Sequence, residues 1–250
     1  MKQNIYDNPN FFKIYTTLRE SEITANDFIE QPAIKSLIPC LKGKSVLDLG
    51  CGDGHFSKYC IENGAKNVIG VDISKNMIER AKKLYQDDNI EFMCLPMEDL
   101  GLTKQKFDLI ISSLSLHYVE NYPALIQKIY GLLNNSGEFI FSTVHPIATA
   151  RKGSDHWIKT EDGHKLHWAL DNYQEEGIRE HDWFGEYSAV IYHRTISTLV
   201  NTLIEHGFSL DKMIEPESTL TGIEKMPESI NEKRRPSFIV IKSKKQNNIY

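Results

Sequence analysis

Between residues 44 and 143 the chain alternates short runs of Val, Ile, Leu and Phe with stretches in which apolar residues recur every three or four positions. The first pattern predicts buried strands and the second amphipathic helices, together the signature of βαβ units around a parallel sheet. Strands are predicted at SVLDLG (45–50), NVIGVD (67–72), IEFMCL (90–95), FDLIIS (107–112) and GEFIFSTV (137–144). Few charges interrupt them, as expected of strands covered on both faces. A helix over 75–85 places Met77, Ile78, Ala81 and Leu84 on one face, and one over 121–133 does the same with Leu125, Ile126, Ile129, Leu132 and Leu133. Gly64 and Gly137 stand where helices should stop.

The alternation breaks after the fifth strand. It resumes at 193–208, where Ile196, Leu199, Val200, Leu203 and Ile204 follow helical spacing and Gly207 ends the run. SLDKMIEP (209–216) and SFIVIKS (237–243) then read as a final pair of strands with a connection too long for a tight turn. Residues 146–192 are therefore an insertion, holding Trp157, Trp168, Trp183 and an Asp162-Gly163 pair suited to a two-residue hairpin turn. Ahead of the sheet, Phe11, Phe12, Tyr15 and Leu18 mark the apolar face of a helix in a short helical region. The expected organisation is one domain: a helical lid (1–43), a core (44–145), the insertion (146–192) and the rest of the sheet (193–250).

Composition narrows the class. Hydrophobic residues are 40% and charged residues 25%, and no apolar run reaches the roughly 20 residues of a membrane helix, so a soluble cytoplasmic protein is expected. Cys40, Cys51, Cys60 and Cys94 lack the paired spacing of a zinc site, and no metal is expected. The net charge of −5 argues against a nucleic-acid partner. Lys233, Arg234, Arg235, Lys242, Lys244 and Lys245 are the one basic concentration, read as the solvated ends of a strand.

The chemistry is concentrated in VLDLGCGDGHF (46–56), a strand running into glycines and then a helix. Gly50, Gly52 and Gly54 clear the main chain for a sharp turn and a close ligand beside a helix N-terminus. A dinucleotide fingerprint needs Gly where His55 stands, which argues against NAD. Asp72 ends the second strand, where a carboxylate can accept the ribose hydroxyls of an adenosine.

Asp48, Gly50, Gly52 and Gly54 followed by Asp72 resemble the class I S-adenosylmethionine-dependent methyltransferases. The likeness continues through 90–100, 107–119 and 132–146 in the manner of the small-molecule type 11 group. The flanks, including EEGIR and YHRTISTLVNTLIEHGF, are similar to a bacterial subgroup without an agreed substrate. The resemblance implies a Rossmann-like seven-stranded sheet with helices on both faces, S-adenosylmethionine as cofactor and S-adenosylhomocysteine as product. It also implies a site. Asp48 and Gly50 would neighbour the methionine ammonium, Gly52 and Gly54 would be the close-approach glycines, and Asp72 the ribose ligand. Ile73 and Met77 would pack on the adenine, Met97 and Glu98 would read its edge, and Ser112 would offer its carbonyl to the methionine end. Pro96 stands where many members carry an adenine-binding Asp.

His117 and His145 follow the fourth and fifth strands, at the sheet edge where open α/β folds bind ligands, and are candidate general bases. The alternative for both, and the more frequent role of such a residue, is a packed histidine. Tyr15 and Arg19 lie four residues apart on one helix face, suited to a lid in which Arg19 meets the cofactor carboxylate; ordinary packing is the alternative. The aromatic insertion suits a cover over a compact acceptor. The expected reaction is methyl transfer to an O or N atom of a small molecule by a monomer or homodimer. A nucleic-acid methyltransferase and a regulator that binds the cofactor without turnover are the competing readings.

Overall fold

The structure is a computed structural model and describes residues 4–101, 105–153, 157–183 and 187–246. Helices α1 (Pro9–Glu20) and α2 (Gln31–Ser36) precede the first strand. The core then runs β1 (Ser45–Leu49), α3 (His55–Glu62), β2 (Asn67–Asp72), α4 (Lys75–Leu84), β3 (Ile90–Cys94), β4 (Phe107–Ser112), α5 (Tyr122–Leu132) and β5 (Leu133–Val144). In the insertion lie α6 (Pro146–Thr149), β6 (Trp157–Lys159), β7 (Lys165–Trp168), β8 (Gly177–Trp183) and β9 (Tyr187–His193). The chain closes with α7 (Ile196–Glu205), β10 (Phe208–Ile214), α8 (Leu220–Lys225) and β11 (Phe238–Lys245).

Seven strands form one sheet in the order β10-β11-β5-β4-β1-β2-β3, with β11 alone antiparallel to its neighbours. Alternation along the central strands feeds two cores, while the edge strands β3 and β10 bury only Phe92 and Phe208. Leu47, Leu49, Ile110, Phe139, Phe141, Ile239 and Ile241 pack with α5 and α7, while Val46, Leu109, Ile111, Ile140 and Val240 pack with Ile34, Leu37, Phe56 and Cys60. A one-residue slip would send the side chains of a central strand into the opposite core, whose close packing they do not match, and this holds the register. The order reverses between β1 and β4, which makes the crevice at their carboxyl ends the ligand-binding position of such a sheet.

Helix boundaries follow local chemistry. Asn8, Ser74, Asn121 and Thr195 each accept a main-chain N–H at the start of α1, α4, α5 and α7. Three expectations shift. Helix α5 ends at Leu132 and Leu133 already pairs with Phe107, so Gly137 lies within β5 rather than at a helix stop. Leu84, Leu18 and Ile204 are exposed, because each falls at the edge of its helix's apolar face. The hairpin at Asp162 has a three-residue loop, bounded by the Thr160–His164 pair, with Gly163 at φ +88°. The side chain of Trp183 lies outside the described residues.

The insertion docks through a few polar anchors. Arg179, 5% exposed, donates to the carbonyls of Ala150, Ile178 and Glu175. His193 accepts from or donates to Thr149 Oγ1 at 2.7 Å and meets the Tyr173 carbonyl at 2.9 Å. Glu176 caps α7 through the N–H and hydroxyl of Thr195 at 2.7 and 2.9 Å. Trp157 and Trp168 meet edge to face at 5.4 Å, with the guanidinium groups of Arg234 and Arg235 over their rings. Much of the C-terminal basic run is thus spent locally, with Lys242 also beside Glu138 and Lys245 on the Tyr130 and Leu133 carbonyls.

Candidate active site

The turn after β1 is built on three left-handed glycines, Gly50, Gly52 and Gly54, at φ +68°, +54° and +84°. They do different work. A Cβ at Gly50 would stand 2.4 Å from Ser115 Cβ, and one at Gly54 2.6 Å from the Phe92 ring, so both are glycine because the protein itself presses on them. A Cβ at Gly52 would meet nothing within 4 Å, so the main chain there is bare on one side. The Gly50 and Cys51 amides donate to the Val71 carbonyl at 2.8 and 2.9 Å, and α3 starts directly after Gly54.

Two acids flank this turn. Asp48, 1% exposed, accepts the Ser57 hydroxyl at 2.7 Å, and burial pushes its carboxyl up to about 7 against the pull of that hydrogen bond. Asp72 accepts the amides of Gly52 at 2.9 Å and Ser74 at 2.8 Å, one on each oxygen, which leaves each oxygen further acceptor capacity. Burial raises its pKa as well, opposed by those two amides.

The amino-terminal residues form a strap over this region. Asp7 accepts from Ser74 Oγ at 2.6 Å and from the Asn76 and Lys75 amides, and Asn4 Nδ2 reaches Asp7 and the Ile73 carbonyl. Burial acts upward on the Asp7 carboxyl, but these donors outweigh it and its pKa is lowered. Tyr6 and Tyr15 meet edge to face at 5.1 Å, and Tyr6 stands 3.5 Å from the Tyr118 hydroxyl. Arg80 ties the strap down by pairing with Glu20 of α1 and Asp53 of the glycine turn at 2.8 and 3.3 Å.

Opposite lies the turn after β4. Ser112 and Ser115 both donate to the Leu49 carbonyl at 3.0 Å, which seats this turn on the end of β1. Leu114 takes φ +49°, held by its amide on Ser142 Oγ at 3.0 Å. His117, 6% exposed, faces Thr143 Oγ1 at 3.5 Å and lines a small cavity with Tyr122, Thr149, Tyr192 and Arg194.

The family model of a methyltransferase domain of the type 11 group matches residues 47–141. Among solved structures, the S-adenosylmethionine-dependent methyltransferase of Mesorhizobium loti is 35% identical, covers 89% of this chain and 98% of its own, and has a TM-score of 0.79. A Listeria monocytogenes chain assigned to the same group is 37% identical over 87% of this chain and 97% of its own, at a TM-score of 0.81. The chain belongs to the S-adenosylmethionine-dependent methyltransferases. An uncharacterised Haemophilus influenzae protein is 39% identical over 98% of both chains. The malonyl-[acyl-carrier protein] O-methyltransferase of Priestia megaterium is 34% identical, but over 40% of this chain and 36% of its own.

The methyltransferase's cofactor is S-adenosylmethionine, and the residues present fit it. The bare face of Gly52 admits a ligand to the main chain, and Asp72 beside it offers acceptors to ribose hydroxyls. The other expected residues divide. Gly50, Ser112, Met97 and the Leu49 carbonyl converge, with Met97 Cε 3.2 Å from where a Gly50 Cβ would stand. Ile73 presents its carbonyl to Asn4, and the Glu98 carbonyl accepts from Lys128. Met77 is 2% exposed, inside the core of α4, and Asp48 lies beneath the turn. Arg19 is turned to Thr24 at 3.1 Å and Asp27 at 3.6 Å. His145 has both ring nitrogens engaged: Nδ1 accepts the Ile147 amide at 3.1 Å and Nε2 faces Glu215 at 2.8 Å. Burial lowers its pKa, against the raising effect of Glu215.

Sequence reasoning missed Tyr6, Asp7 and Glu30. Their signal in the chain is slight: an acid among N-terminal aromatic residues, and one acid more among the mixed polar and apolar residues ahead of β1.

Proposed function

We propose that this methyltransferase moves the methyl group to an O or N atom of a small-molecule acceptor enclosed by the glycine turn, the turn after β4 and residues 146–192. The observation that carries the reading is where the insertion meets the strap: the Tyr187 ring of β9 packs on Phe11 of α1 at 5.5 Å, and Thr149 and Tyr192 share a cavity with His117. Insertion, strap and the turn after β4 therefore enclose one end of the sheet, and the enclosure suits a compact acceptor better than a polymer.

Bound S-adenosylmethionine supplies an electrophilic methyl on a sulfonium, so the protein's tasks are alignment and exclusion of water. Asp72 and the bare main chain at Gly52 hold the adenosine half, Gly50 and Ser112 the methionine end. Tyr6, Phe11 and Tyr15 shield the site. His117 is the base we assign for a hydroxyl or amine acceptor, since it borders the cavity while His145 is held at both nitrogens. The test is turnover of S-adenosylmethionine to S-adenosylhomocysteine with panels of carboxylates, phenols, amines, RNA and DNA. Turnover with small molecules is expected; turnover with nucleic acid alone, or with nothing, refutes the reading.

A further inference from the structure

Glu30 ends a π-helical segment, Asn26–Glu30, a rare backbone form that recurs at functional sites. It is 0% exposed. Its Oε1 accepts from Ser113 Oγ at 2.9 Å and from Ser142 Oγ, and its Oε2 from Gln31 Nε2 at 2.9 Å. Among the described residues it forms no ion pair, although a buried carboxylate is costly without a counter-charge. Arg19 acts on it only at a distance and is itself paired with Asp27, so among the described residues three neutral donors are its partners and no cation touches it.

The surroundings say which cation fits. Ser113 belongs to the turn whose Ser112 and Ser115 hydroxyls rest on the Leu49 carbonyl, and Ser115 Cβ lies against Gly50. Glu30 therefore stands behind the part of the crevice that receives the methionine end of the cofactor. We propose that Glu30 is a positioning residue that lends negative charge to that end and so favours the sulfonium of S-adenosylmethionine over the uncharged sulfur of S-adenosylhomocysteine. Both ligands share adenine, ribose, ammonium and carboxylate. They differ by one methyl and one charge, so a preference set by Glu30 helps the product leave. Through Ser142 the same carboxyl also steadies the Leu114 amide in its left-handed turn.

The experiment is calorimetric titration of the full chain with each ligand, reading the ratio of the two dissociation constants. Glu30→Gln should shift that ratio against S-adenosylmethionine by about tenfold, the order expected for the loss of one charge acting through a partly solvated site. Glu30→Asp should keep most of the preference. Ser142→Ala, which removes a donor that holds the carboxyl charged, should shift the ratio the same way by a smaller factor. Asp72→Ala is the control and should weaken both ligands by one common factor, since it serves the ribose they share. An unchanged ratio in Glu30→Gln or in Ser142→Ala overturns the proposal, as does equal weakening of both ligands by Glu30→Gln.

Discussion

Asp48 gives the sharpest stability prediction, because its carboxyl is fully buried and compensated only by neutral hydrogen bonds from Ser57. Burial raises its pKa from 3.8 to about 7. The sign follows from proton counting: between those two values the folded chain holds a proton that the unfolded chain has released, so stability falls as pH rises. The stabilising contribution is complete below about pH 4 and lost as pH passes through about 7. At 1.36 kcal/mol for each factor of ten, the gap amounts to roughly 4 kcal/mol across that window. Asp48→Asn removes the titration while its amide oxygen still accepts from Ser57, so the variant should gain on the parent as pH rises from 4 to 8. Urea unfolding at a series of pH values measures the difference directly. Glu30 is also raised by burial and cancels in this comparison because both proteins carry it, whereas the nearby Asp72 charge contributes to the Asp48 shift and its repulsion is relieved in the variant. Parallel pH curves for parent and variant would refute the reasoning.

The glycines should separate binding from stability. Gly52→Ala should cost about 1–2 kcal/mol, the backbone strain alone, yet weaken S-adenosylhomocysteine more than tenfold by obstructing the bare main chain. Gly54→Ala should cost about 2–4 kcal/mol by adding a clash with Phe92 to the same strain, and calorimetry beside denaturant unfolding distinguishes the two. Asp72→Ala should cost about 1.5–3 kcal/mol of binding to S-adenosylhomocysteine, the range for hydrogen bonds to a charged group; a variant that binds as tightly as the parent removes Asp72 from the ribose. Arg179→Met should leave the Ala150 and Glu175 carbonyls without their donor, loosening residues 150–183 to limited proteolysis while the seven-stranded sheet still unfolds cooperatively.

Strands β1, β2 and β4 were readable because burial on both faces leaves almost no polar residue to blur the pattern, whereas β3, at the sheet edge, buries only Phe92 and shows Glu91, Met93 and Cys94 to solvent. The glycine turn was readable for a different reason: its requirements are local to the main chain, and no other residue takes φ +54° to +84° three times in five positions at so little strain. The start of β5 was not, since Leu133 continues the helical spacing of α5 and only its pairing with Phe107 makes it a strand residue. Glu30 was hidden for a related reason: its role depends on Ser113 and Ser142, more than 80 and 110 residues away, and no spacing within the helix reports them.

The acids of the crevice follow one electrostatic logic. Asp48 and Asp72 have burial working against their charge, with neutral donors in compensation, and Glu30 shares that state. Asp7 differs in meeting the exposed amides at the start of α4, and its pKa goes down. Placing carboxyls behind a crevice without cations beside them destabilises the empty protein, a cost that a cationic ligand offsets on arrival. An uncharged product recovers less of it. Asp7, on the strap, has already found its stabilising partners, so closure of the strap does not depend on that ligand charge. The strap and Glu30 can therefore act separately, one retaining the adenosine half and the other favouring the sulfonium, and a variant of Asp7 should weaken both cofactor forms alike.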